Sequence, residues 1–383
     1  MEVGPVIDAA RRIHGVDVTI VRILETEERW PPNGGAVTYL AELTGSAPAG
    51  LDPVEVDDDH DPRRAVWACP GGVAALTAWA DGALARAGRA RIGPVHQERT
   101  WNLSCVLRIP TENGQAWLKA VPPFFAHEPR ILALLEADDP ALVPPVIAVG
   151  EAVALLGHVE GDDQYDAGLD RLVAMAERWV AVQASWMDRT ETLLTAGLPD
   201  ERVNQMVRAT EAFAARADVR DRLTDDERRA LDGLVAGLAD RMARVADCGL
   251  PETLVHGDFH PGNWRAGDDG HLVLIDWGDS CIGHPLIDHA NFLAAVERFG
   301  GARGAIPSVQ DAWTRAWRRH VPGCDPERAV RLLGPAAALR SARVFREFLD
   351  HIEPSEHRYH AHDPEEQVRS AIAAASTPRS GAR

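Results

Sequence analysis

His256-Gly257-Asp258-Phe259-His260-Pro261-Gly262-Asn263, followed across a Gly267–Gly270 turn by Leu272-Val273-Leu274-Ile275-Asp276-Trp277-Gly278-Asp279, decides the reading of this chain. Leu272–Ile275 is a continuous apolar run, the pattern of a strand buried on both faces. Asp276 ends that run, so the core would hold its backbone while its carboxylate points outwards. Asp258 and Asn263 share one irregular loop just upstream. Three oxygen-bearing side chains thus converge from two adjacent segments. Phosphoryl transfer needs such a set. One carboxylate accepts or orients the proton of the attacking hydroxyl, and further oxygens hold Mg²⁺, a hard cation.

The two segments resemble the catalytic loop and metal-binding motif of the aminoglycoside phosphotransferases and related small-molecule kinases, which share the protein-kinase-like fold. A lone HGD or DxG carries little information, whereas HGDxxPGN followed at this distance by IDWGD is specific. The resemblance spans residues 95–350, strongly at 254–280 and by pattern elsewhere. It implies that Asp258 is the catalytic aspartate, that Asn263 and Asp276 ligate magnesium, and that His256 braces the loop without reacting. Gly283-His284-Pro285-Leu286-Ile287-Asp288 resembles the family's GDPxxD stretch, with Asp288 in a bracing role.

Upstream residues agree with this resemblance. Kinases of this fold hold the ATP phosphates with a lysine on the small lobe's third strand, oriented by a glutamate on the next helix. Lys119, on the second strand of a hairpin, is the only lysine in the chain, which otherwise uses arginine. Arginine does not replicate a compact ammonium as a phosphate contact. Glu128 opens the following helix and is the candidate partner, although Pro122, Pro123 and Pro129 crowd the short connection. The stretch Arg99–Cys105 stands where the phosphates are covered and has no glycine, so Ser104 becomes the candidate donor, against a plain turn. By the same resemblance the nucleotide base lies against the hinge 157–161, read by backbone groups at His158 and Val159.

The expected architecture is α+β: a two-lobed protein-kinase-like fold with a small β-rich N-lobe and a mostly helical C-lobe, preceded by an extra small α+β domain. The N-terminal domain covers residues 1–92, the N-lobe 93–160 and the C-lobe 161–375, with the catalytic loop at 254–280 and a disordered tail at 376–383. Val16–Leu24 and Ala36–Leu43 alternate as strands do, around a turn-rich Trp30–Gly35 segment, and Val73–Ala87 reads as a helix beyond the acidic run Asp57–Asp61. That domain lacks the catalytic pattern of Nudix hydrolases, so no chemistry is assigned to it. The C-lobe helices are expected at Leu169–Trp186, Glu201–Arg216, Asp225–Ala246, Pro285–Phe299, Val309–His320 and Glu327–Ile352.

Composition narrows the function. The 383 residues carry a net charge of −18, which opposes binding to nucleic acid and suits a cationic ligand. No apolar run approaches the length of a membrane span and no signal peptide opens the chain, so a cytoplasmic location without a membrane partner is expected. Five separated cysteines give neither a disulfide framework nor a zinc pattern. The expected reaction is transfer of the γ-phosphoryl group of ATP, with Mg²⁺, to the hydroxyl of a small molecule. An aminoglycoside-like antibiotic competes here with a sugar, a choline-like alcohol or another metabolic acceptor. Asp276 to Pro285 leaves no room for the peptide-docking segment of a protein kinase. A catalytically silent nucleotide-binding scaffold is the alternative outside the enzymes.

Overall fold

A computed structural model describes residues 2–27, 35–45, 61–267, 270–299 and 303–376. The readings at Trp30–Gly34 and Asp57–His60, and residues 377–383 of the expected disordered tail, lie outside the described residues, whereas Ser376 at the start of that tail ends a helix. The chain divides into two compact units: Met1–Pro140 with Pro144–Val159 and Phe348–Ala361, and Ala141–Val143 with Glu160–Glu347 and His362–Arg383.

The first unit is sheet-rich. It contains α1 (Gly4–His14), β1 (Asp17–Thr26), β2 (Val37–Thr44), α2 (Gly72–Arg86), β3 (His96–Trp101), β4 (Ser104–Thr111), β5 (Gly114–Ala120), α3 (Glu128–Asp138), β6 (Val146–Val149) and β7 (Val153–Gly157). The last five strands form one antiparallel sheet of order β3-β4-β5-β7-β6, and β1 pairs with β2. Alternating burial along β4 and β5 puts Cys105, Leu107, Ile109, Ala116 and Leu118 into one core. Val73, Ala80, Ala83 and Leu84 of α2, read from sequence as part of a preceding domain, fill the same core. The hairpin is tied on by a buried amide. Gln97 of β3 donates to the Ile20 carbonyl at 2.7 Å and accepts the Ile20 N–H at 2.9 Å, as a strand residue would.

The loop expected at Arg99–Cys105 is shorter than its sequence suggests. Trp101 pairs in register with Ser104, so only Asn102 and Leu103 form the turn. The zipped ends leave no span that glycine would need to relieve. Helix α1, whose apolar residues recur at helical spacing, is missed by the sequence reading, which also gives no bounds for strand β3, a short polar segment.

The second unit is mostly helical. Its elements are β8 (Asp162–Asp163), α4 (Leu169–Trp186), α5 (Thr190–Thr195), α6 (Val203–Ala214), α7 (Ala217–Arg220), α8 (Asp225–Ala236), α9 (Leu238–Ala246), β9 (Thr253–Val255), β10 (Trp264–Ala266), β11 (Leu272–Leu274), β12 (Cys281–Gly283), α10 (Leu286–Phe299), α11 (Ile306–His320), α12 (Pro326–His351) and α13 (Asp363–Ser376). Helix α4 coincides with its expected bounds because Leu172, Met175, Ala176, Trp179, Val180 and Gln183 recur at helical spacing and are buried. The single helix expected over 225–246 is instead two. Gly237, at φ −94° and ψ 2°, leaves helical geometry between α8 and α9. Strands β11-β10-β8 and β12-β9 form two small antiparallel sheets. They frame the stretch that the sequence singled out.

Candidate active site

The HGDFHPGN loop leaves β9 over an aromatic floor. Phe259 is fully buried, with ring centroids 5.0 Å from Trp179, 5.2 Å from Phe292 and 5.8 Å from Trp264 and Trp313. Truncating such a ring costs about 3–5 kcal/mol, so this residue fixes the loop's height. Gly257 sits at φ 85°, and a Cβ there would lie 2.0 Å from the Asp279 carbonyl oxygen. Only glycine allows that approach.

A carboxylate fixes the loop's start. Asp288, at the beginning of α10 and fully buried, accepts the backbone N–H groups of His256 and Gly257, each at 2.9 Å. Trp179 Nε1 at 2.9 Å and Gln183 Nε2 at 3.2 Å complete its shell. Burial pushes the Asp288 carboxyl up to about 6, against those donors. His256 is buried too, which lowers its pKa to about 4, and its Nε2 lies 3.1 Å from the Ile275 carbonyl oxygen. The neutral imidazole therefore ties this loop to the residue before Asp276.

Asp258 and Asn263 meet. Asn263 Nδ2 donates to the Asp258 carbonyl at 2.8 Å and to Asp258 Oδ2 at 3.1 Å. With its amide nitrogen so engaged, Asn263 turns the remaining amide oxygen to other uses. Its backbone carbonyl accepts the Ile275 N–H at 2.9 Å, and Trp264 pairs with Leu274, which sets Asn263 beside the strand end that carries Asp276. Asp276 is at φ 68°, the only residue other than glycine with positive φ among the described residues. That conformation costs about 1–3 kcal/mol and persists where a surrounding structure imposes it, commonly at functional sites.

The Asp258 side chain keeps 48% of its exposure. Burial works to raise its carboxyl, and the neighbouring His260 outweighs this, holding it below the usual carboxylate range. Burial likewise works to lower His260, and Asp258 raises it above the ordinary histidine value. His260 was not singled out by sequence. Its position two residues after the aspartate, inside a loop too irregular for periodicity, gave no signal of contact. Trp179 and Gln183 also escaped, although a buried glutamine one turn from a tryptophan on an apolar helix face is a readable mark of a polar partner.

In the first unit, Lys119 Nζ lies 2.6 Å from Glu128 Oε1, with Glu128 only 2% exposed. The prolines between them compress the connection into a short turn and leave the pair intact. Ser104 is buried at the start of β4, and its oxygen accepts the Trp101 indole N–H at 3.0 Å. The His158 ring stacks on Trp117 and accepts its indole N–H at 3.0 Å, and Val159 follows at the end of that segment. Among the described residues, no group of three or more His, Cys, Asp and Glu could hold a metal ion, and no helix is long and apolar enough to cross a membrane.

The profile of the phosphotransferase enzyme family matches residues 95–328. No curated protein matches the sequence. Among solved structures, the macrolide 2'-phosphotransferase MphH from Brachybacterium faecium is similar at 18% identity and TM-score 0.51, over 79% of this chain and 99% of that one. Choline kinase LicA from Streptococcus pneumoniae is similar at 13% identity and TM-score 0.55, over 78% and 99%. APH(2'')-IIIa, solved with GDP and kanamycin, is similar at 15% identity and TM-score 0.51, over 79% and 99%. At these identities the likeness is one of fold, the mixed kinase-like arrangement of a sheet-rich part and a helical part.

Proposed function

Because the chain belongs to the phosphotransferase enzyme family, we propose that it moves the γ-phosphoryl group of ATP to a hydroxyl of a small molecule. The observation that supports this most is the meeting of Asp258 with Asn263 beside the strained Asp276. Asp258, ionised and half-exposed, takes the proton of the acceptor hydroxyl. As it does so, the acceptor oxygen bonds to the γ-phosphorus and the bond from that phosphorus to the bridging oxygen breaks, releasing ADP. Asn263 Oδ1 and the Asp276 carboxylate are the hard oxygen donors that Mg²⁺ prefers, and two protein ligands suffice for a cation otherwise held by phosphate oxygens and water. Bound there, Mg²⁺ supplies countercharge for the transferring group.

Lys119, held by Glu128, supplies a positive charge for the α- and β-phosphates. Ser104 keeps its hydroxyl proton for a phosphate oxygen, since its oxygen is the acceptor from Trp101. The backbone at His158 and Val159 reads the base. A net charge of −18 is compatible with a cationic acceptor and equally with a generally acidic, solubilising surface. The solved relatives act on, or were solved with, a macrolide, choline and kanamycin, and these set the acceptor panel.

ADP release from MgATP is the test, measured for the wild type and Asp258→Ala with aminoglycosides, macrolides, choline and sugars as acceptors. Acceptor-stimulated release that disappears in the variant supports the proposal and names the acceptor class. Tight ATP binding with no stimulated release would favour a silent nucleotide-binding scaffold, the reading that the glycine-free turn at Asn102-Leu103 suits.

A further inference from the structure

A half-exposed aspartate rotates about χ1 and χ2, and a base that offers either oxygen in many orientations is poorly positioned. Here one oxygen is already taken. Asp258 Oδ2 receives Asn263 Nδ2 at 3.1 Å and faces His260 Nε2 at 3.3 Å, whereas Oδ1 accepts no hydrogen bond among the described residues. A contact from Nε2 requires the imidazole proton on that nitrogen. The other nitrogen, Nδ1, is buried with no hydrogen-bond partner, which suits a ring whose proton is on Nε2.

The imidazole is itself held. It stacks on Tyr165 with centroids 5.5 Å apart and planes 15° from parallel. Tyr165 is confined in turn. Its ring covers Gly262, where a Cβ would lie 2.2 Å from Tyr165 Cζ, and Phe299 meets it edge-on at 5.2 Å. Gly262 therefore serves as the floor for Tyr165, and Tyr165 as the wall for His260.

We propose that His260, clamped by Tyr165, is a positioning residue for phosphoryl transfer: its Nε2–H anchors Asp258 Oδ2 and leaves Oδ1 as the single oxygen presented to the incoming hydroxyl. The inference rests on the reading of Asp258 as the group that takes the acceptor's proton. A residue that merely fills space would tolerate any polar replacement of similar bulk. An anchor would not, because glutamine places an amide N–H where histidine has Nε2, whereas asparagine places it near Nδ1.

The test uses the full chain and ADP release from MgATP with water as acceptor. His260→Gln is expected to keep kcat within about 3-fold of the wild type, while His260→Asn and His260→Leu lose roughly 10- to 100-fold, the scale of a misplaced catalytic group. The KM for ATP should stay within about 2-fold in all three, since His260 orients the base and does not bind nucleotide. Equal effects of glutamine and asparagine, or a loss confined to KM, overturn the proposal. Asp258→Asn separates the two levels. If it retains turnover, the reading of Asp258 fails; if it is inactive while the His260 variants match the wild type, only this inference fails. An independent measurement requires no turnover. Long-range ¹H–¹⁵N spectra at pH 8.5, with the His260 signal assigned by its loss in His260→Gln, should show the Nε2–H tautomer. That preference should be lost in Asp258→Ala, and an Nδ1–H tautomer in the wild type overturns the proposal.

Discussion

The His256 backbone N–H ends on the Asp288 carboxylate at 2.9 Å, across thirty-two residues of chain. One buried side chain thus sets where the HGDFHPGN loop begins, and it does so through a main-chain N–H that only proline at position 256 would remove. Asp288→Ala would leave the His256 and Gly257 N–H groups and the Trp179 indole N–H without their acceptor in a dry interior, whereas Gln183 Nε2 keeps the Leu254 carbonyl at 3.1 Å. Each orphaned donor costs about 1–3 kcal/mol, so a loss of several kcal/mol is expected in urea unfolding. Asp288→Asn, which keeps one acceptor oxygen, should lose less. Equal midpoints for the alanine variant and the wild type would mean that the loop is held by other contacts.

Lys119 and Glu128 should separate stability from nucleotide binding. Lys119→Ala takes the ammonium 2.6 Å from a nearly buried carboxylate, a loss of up to about 3–5 kcal/mol. Pairing Lys119→Met with Glu128→Gln removes both charges and should restore most of the melting temperature. ATP affinity, measured by calorimetry, should stay low in both variants. Recovery of affinity in the neutral pair would show that the lysine serves the fold alone.

Asp276 holds a positive φ that glycine adopts without strain. Asp276→Gly should therefore leave stability unchanged or raise it by up to about 1 kcal/mol, once the relieved strain is set against glycine's greater unfolded-state entropy. Metal-dependent turnover should vanish in the same variant. The two readouts moving in opposite directions is the outcome that distinguishes a functional carboxylate from a turn residue. Full activity in Asp276→Gly would remove it from the candidate metal site.

What the sequence made legible follows from how local each feature is. Asp258, Asn263 and Asp276 lie within two short segments, so their meeting was readable from spacing and from the apolar run that ends at Ile275. Helix α4 was readable because its apolar stripe is unbroken from Leu172 to Trp186. The anchoring of Asp288 was only partly readable. Its family-like setting suggested a brace, but Trp179 and Gln183 reach it from 109 and 105 residues away, and no periodicity reports such pairings. The same holds for Gln97 with Ile20, 77 residues apart, which ties the first hairpin to the sheet. The Gly237 break was visible as a glycine, yet glycine alone does not decide between a tolerated helix residue and a new start.

Glu356 makes stability depend on pH above the ordinary carboxylate range. Its side chain is buried in the first unit, and burial pushes its carboxyl up to about 7, with the charge of Glu353 adding and the Asn102 backbone N–H opposing. The unfolded chain ionises this group near its ordinary value of 4.5. Between 4.5 and 7 the folded protein keeps a proton that the unfolded chain has released, so stability falls as pH rises through that interval. A displacement of this size corresponds to roughly 3 kcal/mol once both forms are ionised. Glu356→Gln keeps an oxygen for the Asn102 N–H and has no proton to release. Its unfolding free energy should accordingly fall less than that of the wild type between pH 5 and pH 8, by urea titration at both. An identical fall in the two proteins would place the pH dependence elsewhere and leave Glu356 ionised in the folded state.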